Sequence, residues 1–296
     1  MEINETIIHN DRGFIEINGA ESKEFLQNII TNDVEKISEN HTLFSSILTP
    51  QGKYLYEFFV LKLPNGYLIE CEKTTVKELI KIFNFYKLRS KVDLIDISKE
   101  YSSIIISLEK FKSITKSKDL KGFTAIYENN PTYIDPRNKK LGAKIVSKNE
   151  NVENVIKKLS LKKININKYN TESFDLGIPQ VNLNKLKDKI FGIENNLDEL
   201  GGIDFKKGCY IGQENTSRIK LRNKLRRRIL PIKKISGEVY ENDIIKYKDM
   251  EVGKVMIDKP YIFGLIKVVD PELKNFVNTE LVCGKSKVKI LKPEWI

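Results

Sequence analysis

The sequence predicts an α+β protein built on antiparallel sheets and ending in a small all-β barrel or sandwich. Three observations carry that expectation. The run from Tyr54 to Leu63 is strand-like, turns at Pro64, Asn65 and Gly66, and returns as "YLIEC", a hairpin with Asn-Gly at its tip. Short segments with apolar residues at 3–4 spacing precede and follow that hairpin, in the order strand, hairpin, helix, strands. After Leu230 the chain becomes a series of short strand-like runs, "EVYENDIIKY", "EVGKVMI", "YIFGLIKVV" and "LVCGKSKVKIL", split by Gly, Asp and Pro.

Taken in order, "GFIEING" reads as a strand ending in a turn. "AESKEFLQNII" follows as a helix with Phe25, Leu26, Ile29 and Ile30 on one face. It stops at Thr31, Asn32 and Asp33, whose side chains favour local bonds to backbone over helix continuation. Past the hairpin, Thr74 or Thr75 is placed to cap a helix carrying Val76, Leu79, Ile80 and Phe83. "KVDLIDI" and "SSIIISL" are strands, "KFKSITKSKDLKG" a polar surface excursion, and "NVENVIKKLS" a short amphipathic helix. Phe174 to Arg228 is glycine-punctuated and weakly periodic, the kind of sequence in which sites are found. A domain boundary is expected near residues 222–230.

The 296 residues suffice for two or three domains, and 40% hydrophobic with 31% charged residues suits a packed core. No stretch approaches the roughly 20 apolar residues of a membrane span, so no membrane association is expected. The N-terminal "MEINETIIHNDRGF" has no apolar export segment, so a cytoplasmic location is expected. Cys71, Cys209 and Cys283 are odd in number and far apart, which argues against a disulfide framework or a Cys-rich metal site. Only His9 and His41 could serve as a histidine partner to a thiol. The net charge of +11 fits either a nucleic-acid partner or a general richness in Lys.

Three features could carry chemistry. In "KGCYIGQE", Cys209 lies beside Lys206 and Lys207, cations that favour a reactive thiolate, and Gly208 and Gly212 would allow close approach of a ligand. The alternative is a Cys packed as a small apolar residue under a turn. Asp175 and Glu194 could each pair with an N–H edge of a pterin-like ring, or serve as a helix cap or surface acid. From Arg218 to Lys234 there are nine Lys or Arg and no acid. The alternation "RIKLR" suggests a strand with Asn223 as its turn. Such a run could meet RNA or a folate tail, or form a solvated face; it has no aromatic residue for stacking on single strands.

The segment "GIPQ…GIENNLDELGGIDFKKGCYIGQENTSR" resembles the signature of the YgfZ-type folate-binding proteins, relatives of the glycine-cleavage T protein, an aminomethyltransferase. "INGAESKEFLQNIITNDV", "LTPQGKYLYEFFV", "YKLRSKVDLIDIS", "DPRNKKLG" and "EVGKVMIDKPYIFGLIKV" also resemble segments of that group. The stretches around 109–130 and 146–170 do not. The resemblance implies three domains in a ring around a folate channel: a discontinuous α+β domain at 1–48 plus 142–222, an inserted α+β domain at 49–141, and a C-terminal barrel at 223–296. It implies tetrahydrofolate as cofactor, with Asn32, Asp175, Glu194 and Arg218 as contacts. It makes Cys209 the residue in the catalytic position, set in a motif of Lys207, Gly208, Tyr210, Gly212, Gln213 and Glu214, and able to contact iron or sulfur.

The function implied is assembly or maintenance of iron–sulfur enzymes, with client and assembly proteins as partners and an indirect effect on tRNA modification. The alternatives are a folate-dependent aminomethyltransferase and an RNA-binding module. Tyr56 and Glu57 stand where the transferases carry an acid pair, which speaks against carbon transfer, because near-attack geometry tolerates little displacement. Further departures are Ser173 and Asp175, where the wider superfamily has Arg and Glu, and Gly192, where it has Pro.

Overall fold

The structure, a computed structural model, describes residues 1–116, 118–268, 277 and 279–296. It divides into two compact units. Unit 1 comprises Met1–Ile47, Tyr56–Tyr169 and Leu200–Ile211, and unit 2 comprises Leu48–Leu55, Asn170–Glu199 and Gly212–Ile296.

In chain order the first elements are β1 (Glu5–His9), β2 (Arg12–Asn18), α1 (Ser22–Ile29), β3 (Leu43–Leu48), β4 (Tyr54–Leu63), β5 (Gly66–Glu72), α2 (Val76–Lys87), β6 (Asp93–Asp96) and β7 (Tyr101–Ile106). They continue with α3 (Leu108–Ile114), β8 (Thr124–Tyr127), β9 (Asn130–Ile134), β10 (Ala143–Lys148), α4 (Val152–Lys158), β11 (Lys162–Lys163) and α5 (Ile166–Asp175). One sheet runs β3-β4-β5-β2-β6 and the other β11-β1-β7-β10-β9-β8. The β4–β5, β5–β2 and β2–β6 pairs are antiparallel, as are β1–β7, β7–β10, β10–β9 and β9–β8, while β1–β11 is parallel. On the first sheet Phe25 of α1 and Phe58 of β4 lie edge-on to the buried ring of Phe83 on α2. On the second, Phe111 of α3 and Val152, Val155 and Ile156 of α4 close a core with Ile104, Ile106, Ile134 and Ile145.

Between the sheets of unit 1 lies a buried set of charges. The Glu70 carboxylate on β5 takes Arg12 Nε at 2.9 Å, Lys144 Nζ at 2.7 Å and the Tyr133 hydroxyl at 2.6 Å. Burial alone would raise this carboxyl, yet Lys144 and Arg12 pull it down to about 2. Burial drives Lys144 the other way, to about 8, against the pull of Glu70. Arg137 grips Asp135 with two nitrogens, at 3.1 and 2.8 Å, and lies over the Phe59 ring.

Unit 2 contains α6 (Gln213–Leu221), β12 (Arg227–Ser236), β13 (Ile244–Tyr247), β14 (Met250–Ile257), β15 (Ile262–Lys267), β16 (Leu281–Cys283) and β17 (Ser286–Ile290). Among the described residues these strands close in the order β12-β15-β14-β13-β16-β17 around Leu230, Ile245, Val255, Ile266, Val288 and Ile290. The closed barrel and the antiparallel sheets are those the sequence predicted. Part of the expected 223–296 barrel domain, residues 269–276 and 278, lies outside the described residues.

Several local expectations are corrected. "RIKLR" is not a strand: Arg218–Leu221 finish helix α6. Asn223, at φ 46, ends that helix in the left-handed conformation, and the Lys224 amide reaches back to the Ile219 carbonyl, a Schellman-type closure. The excursion after Ser107 begins as α3, because Ser107 caps the Lys110 amide and Phe111 finds the core. Thr75 stands at the N-cap of α2 but its hydroxyl donates to the Glu72 carbonyl instead of capping. The hairpin tip is Pro64-Asn65, since Gly66 already pairs with Leu63.

Candidate functional site

The predicted motif is built in two halves. In unit 1, residues Leu200–Ile211 are laced to the end of α1. The Thr31 hydroxyl donates to the Gly202 carbonyl at 2.6 Å, Asn32 Nδ2 to the Gly201 carbonyl at 2.8 Å, and the Asp204 amide to the Thr31 carbonyl at 3.0 Å. Asp204 is also ion-paired with Lys36 and takes the Lys206 amide. At the far end the Ile211 amide donates to the Asn28 carbonyl.

Lys207 is the centre of the lacing. It is 7% exposed, and Nζ donates to the carbonyls of Gln27 and Ile30 at 2.7 Å and of Asn32 at 2.9 Å. These carbonyls lie at and just past the C-terminus of α1, where backbone acceptors lack helical partners and the helix dipole is negative. The Tyr210 ring lies 5.1 Å from the same ammonium. Burial holds the amine down at about 8. All three of its donors therefore serve the backbone, whereas the sequence had suggested a cation lent to the thiol. Between the pinned Lys207 and Tyr210, Gly208 and Cys209 are exposed. The other two thiols are buried, and burial pushes Cys71 up to about 12 and Cys283 to about 11. Among the described residues no group of three or more His, Cys, Asp or Glu is placed to hold a metal ion.

In unit 2 the second half opens α6. Gly212, at φ 84, is its N-cap, and a Cβ there would meet the Thr49 carbonyl oxygen at 2.5 Å and Leu48 Cβ at 2.9 Å. Gly208 has no such demand, because a Cβ on it meets nothing within 4 Å. The glycine in a strained, crowded position is thus Gly212. Asn215 Nδ2 donates to the Gln51 carbonyl at 2.9 Å, so the "PQGK" turn and the start of α6, about 160 residues apart in sequence, form one packed unit. Gln213 begins the helix, and Glu214 is ion-paired with Arg218 at 2.5 Å.

The four expected folate contacts are engaged elsewhere or stand apart. Glu194, 4% exposed, takes the Phe191 amide at 2.9 Å and Arg227 at 2.8 Å. Asn32 donates to the Phe44 and Gly201 carbonyls and accepts from the Asp33 amide. Arg218 holds Glu214, and Asp175 is exposed at the end of α5. As they stand these side chains do not fit a preformed pterin cradle. Glu57, in the acid-pair strand, sits 3.8 Å from Arg137, and the Tyr56 hydroxyl is bonded to Glu78.

Five of the nine cations of the basic run are ion-paired within unit 2 among the described residues, Arg218 with Glu214 included. Lys220 meets Asp198, Arg227 meets Glu194, Arg228 meets Asn196 and Glu199, and Lys234 meets Glu238. The buried charges around Glu70 were not singled out in the sequence. The signal available was an acid at an inward strand position within the apolar run "YLIECE".

No protein-family model matches the chain. Curated proteins called iron–sulfur cluster assembly factor IBA57 homolog, mitochondrial, do. The one from Coccidioides immitis is 28% identical over 243 residues, 77% of this chain and 56% of that protein. The one from Neurospora crassa is 27% identical over 279 residues, 92% and 60%, and the one from Dictyostelium discoideum 25% over 275 residues, 83% and 64%. The chain thus spans less than two thirds of the length of these relatives. Among solved structures, the glycine cleavage system aminomethyltransferase T from Bartonella henselae superposes with a TM-score of 0.76 at 11% identity, covering 98% of this chain and 86% of that one. The fold is therefore that of the T protein. The expected cytoplasmic location is overturned by the relatives, which are named mitochondrial. Leaders of mitochondrial import are amphipathic and Arg-rich, so the lack of an apolar export segment does not bear on them. Among the described residues no helix is long and apolar enough to cross a membrane.

Proposed function

We propose that this chain, a relative of the IBA57-named iron–sulfur cluster assembly factors with the fold of the T protein, acts in iron–sulfur cluster assembly through Cys209. The carrying observation is the contrast among its thiols: Cys71 and Cys283 are buried, while Cys209 is exposed on a loop pinned by Lys207. A thiolate is the soft ligand that iron and sulfide species accept. A cluster is held by several thiolates, and Cys209 supplies one, so the cluster is cargo whose other ligands come from the protein that delivers or receives it. In that exchange the Cys209 thiol loses its proton and replaces one thiolate of the incoming cluster, and the displaced thiolate takes up the proton. Partners are accordingly iron–sulfur assembly or client proteins, and any effect on tRNA modification follows indirectly through such clients.

Tetrahydrofolate is the proposed small-molecule ligand, supported by the resemblance in the motif segments. No step of the exchange passes through it. Aminomethyl transfer is disfavoured because Glu57 faces Arg137 and the second acid of the pair is Tyr56.

The test is titration of the full chain with a glutathione-ligated [2Fe–2S] cluster, followed by visible circular dichroism, with tetrahydrofolate in a parallel arm. The expected result is a cluster signal that Cys209→Ala removes and Cys71→Ala leaves. A signal unchanged by Cys209→Ala contradicts the proposal.

A further inference from the structure

Unit 2 holds a cavity that the Cys209 chemistry does not use. A cleft of about 320 Å³ is lined by Lys233 and Lys234 of β12, by Lys259 and Tyr261 ahead of β15, and by Phe174 of α5. The Phe174 ring stacks on Tyr261, with centroids 5.2 Å apart and planes at 25°, and meets Phe263 edge-on at 5.6 Å. A second recess, of about 10 Å³, shares Phe174, Pro260 and Tyr261 with the cleft and is also lined by Asn170. That volume is about one water-sized probe, so the recess takes a single polar group and not a ring. Asn170 is 8% exposed, and its Oδ1 is buried without a hydrogen-bond partner. A buried acceptor in that state is unusual and calls for a donor.

The charges at the mouth are uneven. Lys234 is paired with Glu238 at 3.3 Å, and Asp258 with Lys185 at 2.5 Å. Among the described residues Lys233 has no ion-paired carboxylate, and Lys259 shares Asp258 with Lys185. The cleft therefore combines an aromatic platform, a buried acceptor in the adjoining recess and an excess of lysines over acids, three against two. This complements a planar heteroaromatic ring with an N–H edge and an anionic tail. The size falls at the lower end of small-ligand sites, enough for one nucleotide.

We propose that this cleft binds a nucleotide: the base against Phe174 and Tyr261, an N–H of the base on Asn170 Oδ1, and the phosphate between Lys233 and Lys259. The proposal does not depend on the cluster chemistry of Cys209. It gives the end of the basic run a role that its paired arginines do not have. A free mononucleotide and a nucleotide of single-stranded RNA offer the same chemistry.

The experiment is calorimetric titration of the full chain with GMP, guanosine, inorganic phosphate and a guanine-containing RNA hexamer, at low and at raised salt. GMP is expected to bind saturably, with guanosine and phosphate each about tenfold weaker or more, and to weaken as salt rises. Lys233→Gln combined with Lys259→Gln, both exposed changes, should weaken GMP about tenfold and flatten its salt dependence. Asn170→Leu should weaken GMP and guanosine alike. RNA binding tighter than GMP supports the site with RNA as the source, and equal binding supports it with free mononucleotide. The proposal is overturned if neither GMP nor RNA binds saturably, if phosphate alone binds as tightly as GMP, or if the double lysine variant binds GMP unchanged.

Discussion

Replacing Lys207 with Met keeps the length and apolar stem of the side chain and removes only the ammonium. In the structure that ammonium makes three bonds to backbone carbonyls, two at 2.7 Å and one at 2.9 Å. At the low end for bonds to a charged group, about 1.5 kcal/mol each, their loss totals about 4–5 kcal/mol. Against this stands the cost of burying the charge. The amine is held at about 8 instead of its usual 10.5, and that depression corresponds to about 3 kcal/mol, which the Met variant does not incur. The net expectation is a loss of about 1–2 kcal/mol, felt first where the 200–211 loop is laced to α1. The assay is amide hydrogen exchange on the intact protein. The Ile211 amide, bonded to the Asn28 carbonyl, should exchange about five- to thirtyfold faster in Lys207→Met. A modest fall in the urea midpoint should accompany it. Exchange and midpoint both at wild-type values would refute the clamp, and with it the idea that Lys207 fixes the turn carrying Cys209.

The other expectations are read from stability and reactivity. Gly212→Ala should destabilise by about 2 kcal/mol or more, because φ is 84 and the new Cβ meets the Thr49 carbonyl oxygen at 2.5 Å, while Gly208→Ala should stay within about 0.5 kcal/mol; paired thermal melts compare them. Glu70 is held at about 2 against an ordinary 4.5, so its contribution is complete above pH 4.5 and is lost as pH falls from 4.5 toward 2, about 3 kcal/mol in all. Urea midpoints across that window should fall with pH in the wild type and change less in Glu70→Gln, which also starts several kcal/mol less stable because Arg12 and Lys144 lose their counter-charge. With an aromatic disulfide reagent, one of the three thiols should react quickly in the native protein and all three in denaturant, since Cys71 and Cys283 are buried; two fast native thiols would contradict the burial pattern.

Elements whose sequence periodicity matched their burial were legible. The span Tyr54–Leu63 is β4, residue for residue, and Phe25, Leu26 and Ile29 are the buried face of α1. The barrel strands were visible because Gly, Asp and Pro separate them. What could not be read depends on contacts distant in sequence. "RIKLR" alternates like a strand, but Gly212 starts a helix and Asn223 ends one, and those caps outweigh a weak pattern. The cationic neighbour of the thiol proved to be the clamp of a helix end 180 residues earlier, a partnership that no local spacing encodes. The Glu70, Lys144 and Arg12 cluster is similar: three charges from β2, β5 and β10 meet only after both sheets have formed. Motif likeness identified the fold and singled out the thiol on which the proposed function rests, while the side chains expected to hold folate turned out to be bonded within the protein or, for Asp175, exposed.

The central claim is that the exposed thiol, and not the fold alone, supports iron–sulfur enzymes. The most direct measurement is the activity of iron–sulfur enzymes in cells lacking this protein and supplied with wild type, Cys209→Ala or Cys71→Ala at matched levels. Cys209→Ala should accumulate as a folded protein, because the side chain is exposed, yet leave those activities as low as in the deletion, while Cys71→Ala restores activity in proportion to its folded amount. Full restoration by Cys209→Ala would contradict the assignment of the function to this residue.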